Sequence, residues 1–117
     1  MVMKNKYMKC SPDLPLIEAA KLLISVGKKN LIVVNEKNKM IGTLSSSDIL
    51  NYIVNNENLH HEKVVKDVMI DVFVFIYEGA NKKDIVDLFK RKNISYIPVL
   101  DHNCIVKDVL FVTDFLY

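Results

Sequence analysis

Glycine is scarce in this chain. Gly27, Gly42 and Gly79 are the three in 117 residues, and none belongs to a Walker loop or a G-x-G-x-x-G string. The usual backbone cradle for phosphate chemistry is therefore excluded. Arginine is scarcer still, with Arg91 the single example. The bidentate forks that commonly read bases and phosphates are nearly absent, and a net charge of +2 gives no case for nucleic acid or a membrane surface. Two cysteines, Cys10 and Cys104, lack ligand-like spacing and read as reduced thiols of a cytosolic protein. Residues 1–7 contain no apolar signal-peptide core, and no apolar run reaches the length of a membrane span. The expectation is a soluble, cytoplasmic chain.

Catalytic sets are missing too. His60 and His61 with Glu62 are neighbours in a polar stretch with no second cluster, so no metal is expected. His102 and Cys104 have nothing to orient them as a nucleophilic pair. Asp67, Asp71 and Glu78 are spaced as surface carboxylates. No catalytic residues are assigned, and the chain is expected not to be an enzyme.

What is present is a repeat. Sliding the chain by 66 residues lays Ala19-Ala20 on Ile85-Val86, Leu22-Leu23 on Leu88-Phe89, Gly27 on Asn93, Val33-Val34 on Val99-Leu100 and Asp48 on Asp114. The match is one of pattern and order, not identity. Each half opens on an extended segment, residues 6–10 and 72–77. An amphipathic helix follows, with Ile17, Ala20, Leu23 and Ile24 on one face in half one and Asp13 to cap its start. In half two, Asn81 and Asp84 resemble a capping box. Gly27 and Asn93 stand where a left-handed helix end belongs. Strands follow at 31–34 and 96–100, then polar turns, then strands at 40–44 and 104–110. A helix is predicted over 47–54, and over 113–117 only its beginning. Phe73, Phe75 and Tyr77 alternate with Val72, Val74 and Ile76, so that segment is expected to be buried on both faces. The other tyrosines and Phe89 read as packing.

The fold class is therefore α+β, two β-α-β-β-α repeats related by a pseudo-two-fold axis and packed sheet to sheet. Repeat one covers 1–55, a linker 56–66, and repeat two 67–117. Neither half has a comfortable core alone.

The strings 31–35 and 40–49, the Asp67-Val68-Met69 string, and Ile97-Pro98-Val99 in repeat two carry a family resemblance. In that order, and twice, the chain resembles a tandem pair of CBS (cystathionine-beta-synthase-type) domains, a Bateman module. The resemblance implies a non-catalytic regulatory module that binds an adenine nucleotide (AMP, ADP or ATP, with S-adenosylmethionine as an alternative) and modulates an attached domain. The family's ligand motif falls on Gly42, Ser45 and Asp48. Gly42 permits close backbone approach, Ser45 offers a hydroxyl beside a helix start, and Asp48 offers two acceptors to a ribose diol. The adenine slot implied by the family falls on Tyr7, Met8, Lys9 and Cys10 and on Ile32 and Val33. Lys28 and Lys29 stand where the family places basic residues near phosphate; they also read as solvated surface lysines. Ser45-x-x-Asp48 is equally an ordinary capping box, and both readings stay open here.

Repeat two departs from the motif. Asp108 replaces Gly42 and Phe111 replaces Ser45, leaving Asp114 in a degenerate second site. This half-intact pattern resembles the pair fused to bacterial sugar-phosphate nucleotidyltransferases, which implies an attached C-terminal catalytic domain. A homodimer is expected by family analogy. The alternative function is a ligand-free dimerisation module.

Overall fold

The computed structural model describes residues 7–27, 30–56 and 62–115. Lys28, Lys29, His60 and His61 lie outside the described residues. The chain divides into two units, Met1–Phe73 and Val74–Tyr117. Each carries one three-stranded mixed sheet.

In the first unit the order is β1 (Met8–Cys10), α1 (Leu16–Val26), β2 (Asn30–Val34), β3 (Met40–Ser45) and α2 (Ser46–Asn56). Strand β1 pairs parallel with β2, so the connection between them must cross over, and α1 makes that crossover. Strands β2 and β3 form an antiparallel hairpin. Asn35 closes its turn by accepting the N–H groups of Lys37 and Lys39 at 2.9 and 3.0 Å, with Asn38 in the left-handed region at φ 64°. Period-two alternation sends Leu31, Val33 and Leu44 to one face, where they meet Leu16, Ala19 and Leu23 of α1 and Ile49 of α2. Each such side chain contributes on the order of 1.5–3 kcal/mol by leaving water.

Two expectations about α1 are corrected. Its buried stripe is Leu16, Ala19 and Leu23, while Ile24 is 81% exposed; the inward face is rotated relative to the one read from the sequence. Asp13 does not cap the helix. The cap position is Pro15, with no side-chain bond, and the first helical N–H, of Leu16, donates to the Lys63 carbonyl at 2.8 Å. Asp13 instead lies 3.4 Å from Lys66 Nζ at the surface.

That carbonyl belongs to a segment read from sequence as the end of the linker and the start of repeat two. Residues 64–70 run along the first sheet. Val65 donates to Leu14 and Lys66 to Pro12, each at 2.9 Å, and Ile70 exchanges both backbone bonds with Thr43 at 2.8 and 2.9 Å. Val65 is fully buried in the first core, with Val68 and Met69 packed against it.

The second unit holds β4 (Ile76–Tyr77), α3 (Lys82–Lys92), β5 (Tyr96–Leu100), β6 (Val106–Phe111) and a 3-10 turn, Val112–Phe115. Asn81 caps α3 by accepting from the Asp84 N–H at 2.8 Å. Asn93 ends it at φ 50°, as Gly27 ends α1 at φ 64°. The core is Ile85, Phe89 and Ile97. Asp101 repeats the role of Asn35, accepting from Asn103 and Ile105 at 2.8 and 3.0 Å, and Cys104 takes the left-handed place of Asn38 at φ 68°. The Ile105 bond, foremost, holds the Asp101 carboxyl below its usual range.

The expected strand over 72–77 is shorter. Ile76 and Tyr77 pair with Val99 and Leu100, and the stretch before them lies outside the sheet ladder. Val72 is 84% exposed, so the segment is not buried on both faces. Tyr77 stacks on His102 with centroids 4.7 Å apart.

Burial also fixes the state of one cysteine. Loss of solvent pushes the Cys10 thiol up from about 9 to about 11. Between those values an unfolded chain releases a proton that the folded chain keeps. Stability therefore falls as pH rises through the window, by up to roughly 3 kcal/mol. Alkaline melts should show this slope for wild type and lose most of it in Cys10→Ala. Native Cys10 should also resist thiol reagents at neutral pH.

Candidate functional site

Strand β3 ends where α2 begins, and that junction carries Ser45 and Asp48. The Ser45 N–H donates to Asp48 Oδ2 at 2.8 Å, and the Asp48 N–H donates to Ser45 Oγ at 3.1 Å. This is a complete capping box. It leaves the Ser45 hydroxyl proton and Asp48 Oδ1 without a partner among the described residues. The N–H groups in the first turn of α2 point the same way as any helix start, toward an anion. Capping and ligand binding are thus compatible at this corner.

Strand register decides which other candidates share it. Asn30, the first residue of β2, pairs with Ser45, and Tyr7 immediately precedes the Met8–Leu31 pair. Tyr7, Asn30, Ser45 and Asp48 therefore gather at one end of the sheet. Sequence reasoning missed Asn30. Its place follows from the cross-strand pairing with Ser45, which no local pattern states.

The remaining candidates lie elsewhere. Cys10, Val33 and Gly42 form one cross-strand row, three residues from Ser45 along β3, or about 10 Å. Cys10 and Val33 are in the helix-side core with Met8 packed against it. Lys9, Ile32 and Thr43 form the next row, on the opposite face; Ile32 is buried there, and Lys9 reaches Asn38 Oδ1 at 3.4 Å, toward the far end. The close approach at Gly42 is made by the chain itself. A Cβ built there would lie 2.8 Å from Met69 Sδ and 2.9 Å from the Ile70 carbonyl.

The second unit shows the same register with other chemistry. Val99 faces Asp108 as Val33 faces Gly42, and Tyr96 faces Phe111 as Asn30 faces Ser45. The 66-residue offset therefore holds across the whole hairpin. The Phe111 N–H donates to Asp114 Oδ2 at 3.0 Å, preserving half of the box. Phe111 has no hydroxyl to return the bond. Its ring lies 6.5 Å from that of Tyr96, so an aromatic corner replaces the polar one.

Among the described residues, no helix is long and apolar enough to cross a membrane. Comparison with known proteins gives the fold its context. The L-aspartate semialdehyde sulfurtransferase of Methanocaldococcus jannaschii is 27% identical over 89 residues, 76% of this chain. The chain spans 54% and 16% of the lengths of the curated relatives it matches. A solved structure of the CBS domain pair of protein MJ0100, in complex with 5-methylthioadenosine and S-adenosyl-L-methionine, is 23% identical with a TM-score of 0.78, covering 97% of this chain and 88% of that one. The CBS domain protein PAE2072 from Pyrobaculum aerophilum, complexed with AMP, is 14% identical with a TM-score of 0.79, covering 98% and 87%. At these identities the likeness is one of fold. The CBS domain model matches residues 1–55 and again 65–116, and the chain belongs to the CBS domain family as a tandem pair.

Proposed function

We propose that this pair is a regulatory module whose first repeat binds an adenosine-bearing ligand, an adenine nucleotide foremost, at the corner of Tyr7, Ser45 and Asp48. The observation that carries the reading is the junction of β3 and α2. Its capping box leaves Asp48 Oδ1 and the Ser45 proton uncommitted. Asp48 Oδ1 accepts from a ribose hydroxyl, while the Ser45 hydroxyl and the first N–H groups of α2 hold phosphate. Lys28 and Lys29 add positive charge to that end of β2 in sequence. The complexes of MJ0100 and PAE2072 support this ligand class. S-adenosylmethionine lacks a phosphate and would use the Asp48 half of the corner only.

The module acts on an attached domain. A relative named as a sulfurtransferase, of which this match is 16%, supports an arrangement in which the pair accompanies catalytic machinery. The altered second repeat, which resembles nucleotidyltransferase-linked pairs, leaves the class of parent open between the two. Ligand must favour one arrangement of the module over another to be read by its neighbour, with a coupling of about 1–3 kcal/mol.

A second reading rests on a different surface. Ile24, Leu50 and Val54 are 81%, 61% and 76% exposed, and Ile24 and Leu50 border a groove of about 250 Å³ between α1 and α2 with almost no polar lining. Such a face favours self-association into a homodimer.

Thermal unfolding with AMP, ADP, ATP, GTP and S-adenosylmethionine separates the readings. A ligand at about 100 times its dissociation constant adds about 2.7 kcal/mol, and each kcal/mol raises the midpoint by roughly 4–8 °C. Adenine ligands should raise the midpoint of wild type and leave Asp48→Ala unmoved. No shift with any ligand at millimolar concentration removes the sensor reading. A dimer dissociating on Leu50→Asp, with no ligand response, establishes the structural one.

A further inference from the structure

Strand β2 opens on a residue that its strand does not explain. It reads Asn30-Leu31-Ile32-Val33-Val34, a half-buried asparagine ahead of three buried apolar residues. Asparagine is disfavoured in strands, and a carboxamide partly withdrawn from water is costly unless it is bonded. Among the described residues the Asn30 side chain makes no hydrogen bond. No polar side-chain atom among them is sealed from solvent without a partner, so the carboxamide faces outward, open to whatever enters the corner.

The strand pairing limits what it can reach. Thr43 gives its N–H and its carbonyl to Ile70, and the Ser45 N–H goes to Asp48 Oδ2, so these groups point away from β2. Asn30 and Ser45 stand directly opposite and are therefore a non-hydrogen-bonded pair. Side chains are closest in such pairs, with Cα atoms about 4.5 Å apart. In the second unit the equivalent pair, Tyr96 and Phe111, brings its rings to 6.5 Å. An oxygen held by the Ser45 hydroxyl thus lies within one hydrogen bond of the Asn30 carboxamide. That amide donates without charge, next to a corner whose one charged group among Asn30, Ser45 and Asp48 is the Asp48 carboxylate.

We infer that Asn30 donates to the phosphate of the bound nucleotide beside Ser45, and so sets the preference of the corner for phosphorylated over phosphate-free adenosine ligands. The inference rests on the adenosine-ligand reading above and adds the residue that tells those ligands apart.

Calorimetric titration of the full chain with AMP and with 5-methylthioadenosine tests both. Wild type should bind AMP more tightly. Asn30→Asp keeps the size of the side chain and replaces the donor by an anion. Its AMP affinity should fall roughly ten-fold or more, while its methylthioadenosine affinity stays within about two-fold. Asn30→Ala removes the donor without adding charge and should weaken AMP alone, by a smaller factor; it answers the question if Asn30→Asp does not fold. Equal losses for the two ligands would place Asn30 against the nucleoside, and no loss for either would leave it a solvated strand end. Either result overturns the inference while the site stands, as does wild type that binds methylthioadenosine and not AMP. Wild type that binds neither ligand removes the site reading and the inference together.

Discussion

Truncating Leu44 to alanine should lower stability by about 3–4 kcal/mol, while the same truncation at Leu110 should cost about 1–2 kcal/mol. The two leucines are equivalents: Leu31 faces Leu44 as Ile97 faces Leu110. Their surroundings differ. Leu44 is fully buried among Leu16, Leu31, Val33 and Val65. Close neighbours on every side leave a cavity when its side chain is cut. Leu110 is half-buried and borders an open groove, so less packing is lost. Denaturant melts of the two variants measure the difference directly. Equal losses would mean that the groove beside Leu110 is filled in solution.

The elements most legible in the sequence were those specified locally. Gly27 and Asn93 end their helices in the left-handed region because the chain must leave the helix there, and a glycine or an asparagine tolerates it. Asn81 announced its cap through its spacing to Asp84. The hairpins were legible as polar turns between apolar strands, and in the fold the side chains of Asn35 and Asp101 close them. Tertiary partners were not legible. Asp13 has the right chemistry for a cap, but the Lys63 carbonyl, distant in sequence, reaches the first N–H of α1 instead. The apolar run 72–77 has strong strand propensity, yet a ladder needs a neighbour, and β5 meets it only at Ile76 and Tyr77.

The candidate site was half legible for the same reason. Ser45 and Asp48 are three residues apart, so their reciprocal bonds follow from spacing alone. Asn30 joins them only through cross-strand register, which no local pattern states. Gly42 was read as room for a ligand because a glycine marks a close approach without naming what approaches. In the fold the approaching group is Met69 with the Ile70 carbonyl, and this assigns the residue a packing role that the motif alone does not express.

That role predicts a large effect. Gly42→Val should lower stability by about 3 kcal/mol, a midpoint drop of roughly 12–24 °C for a domain of this size. Met69 can swing part of its flexible side chain aside. The Ile70 carbonyl cannot, because it accepts the Thr43 N–H at 2.9 Å while the Ile70 N–H is bonded to the Thr43 carbonyl at 2.8 Å. A branched side chain at 42 therefore displaces the segment, breaks both bonds and uncovers Val65. Hydrogen exchange should show Thr43 and Ile70 losing protection together. Adding Met69→Ala should recover part of the loss, since it removes the sulfur contact and leaves the carbonyl one. Full recovery would place the constraint on the side chain alone. Asp108→Val, at the equivalent and exposed place on the second sheet, should change stability by less than about 1 kcal/mol. A loss there as large as at Gly42 would show that position 42 is constrained by the sheet itself and not by the segment that crosses it.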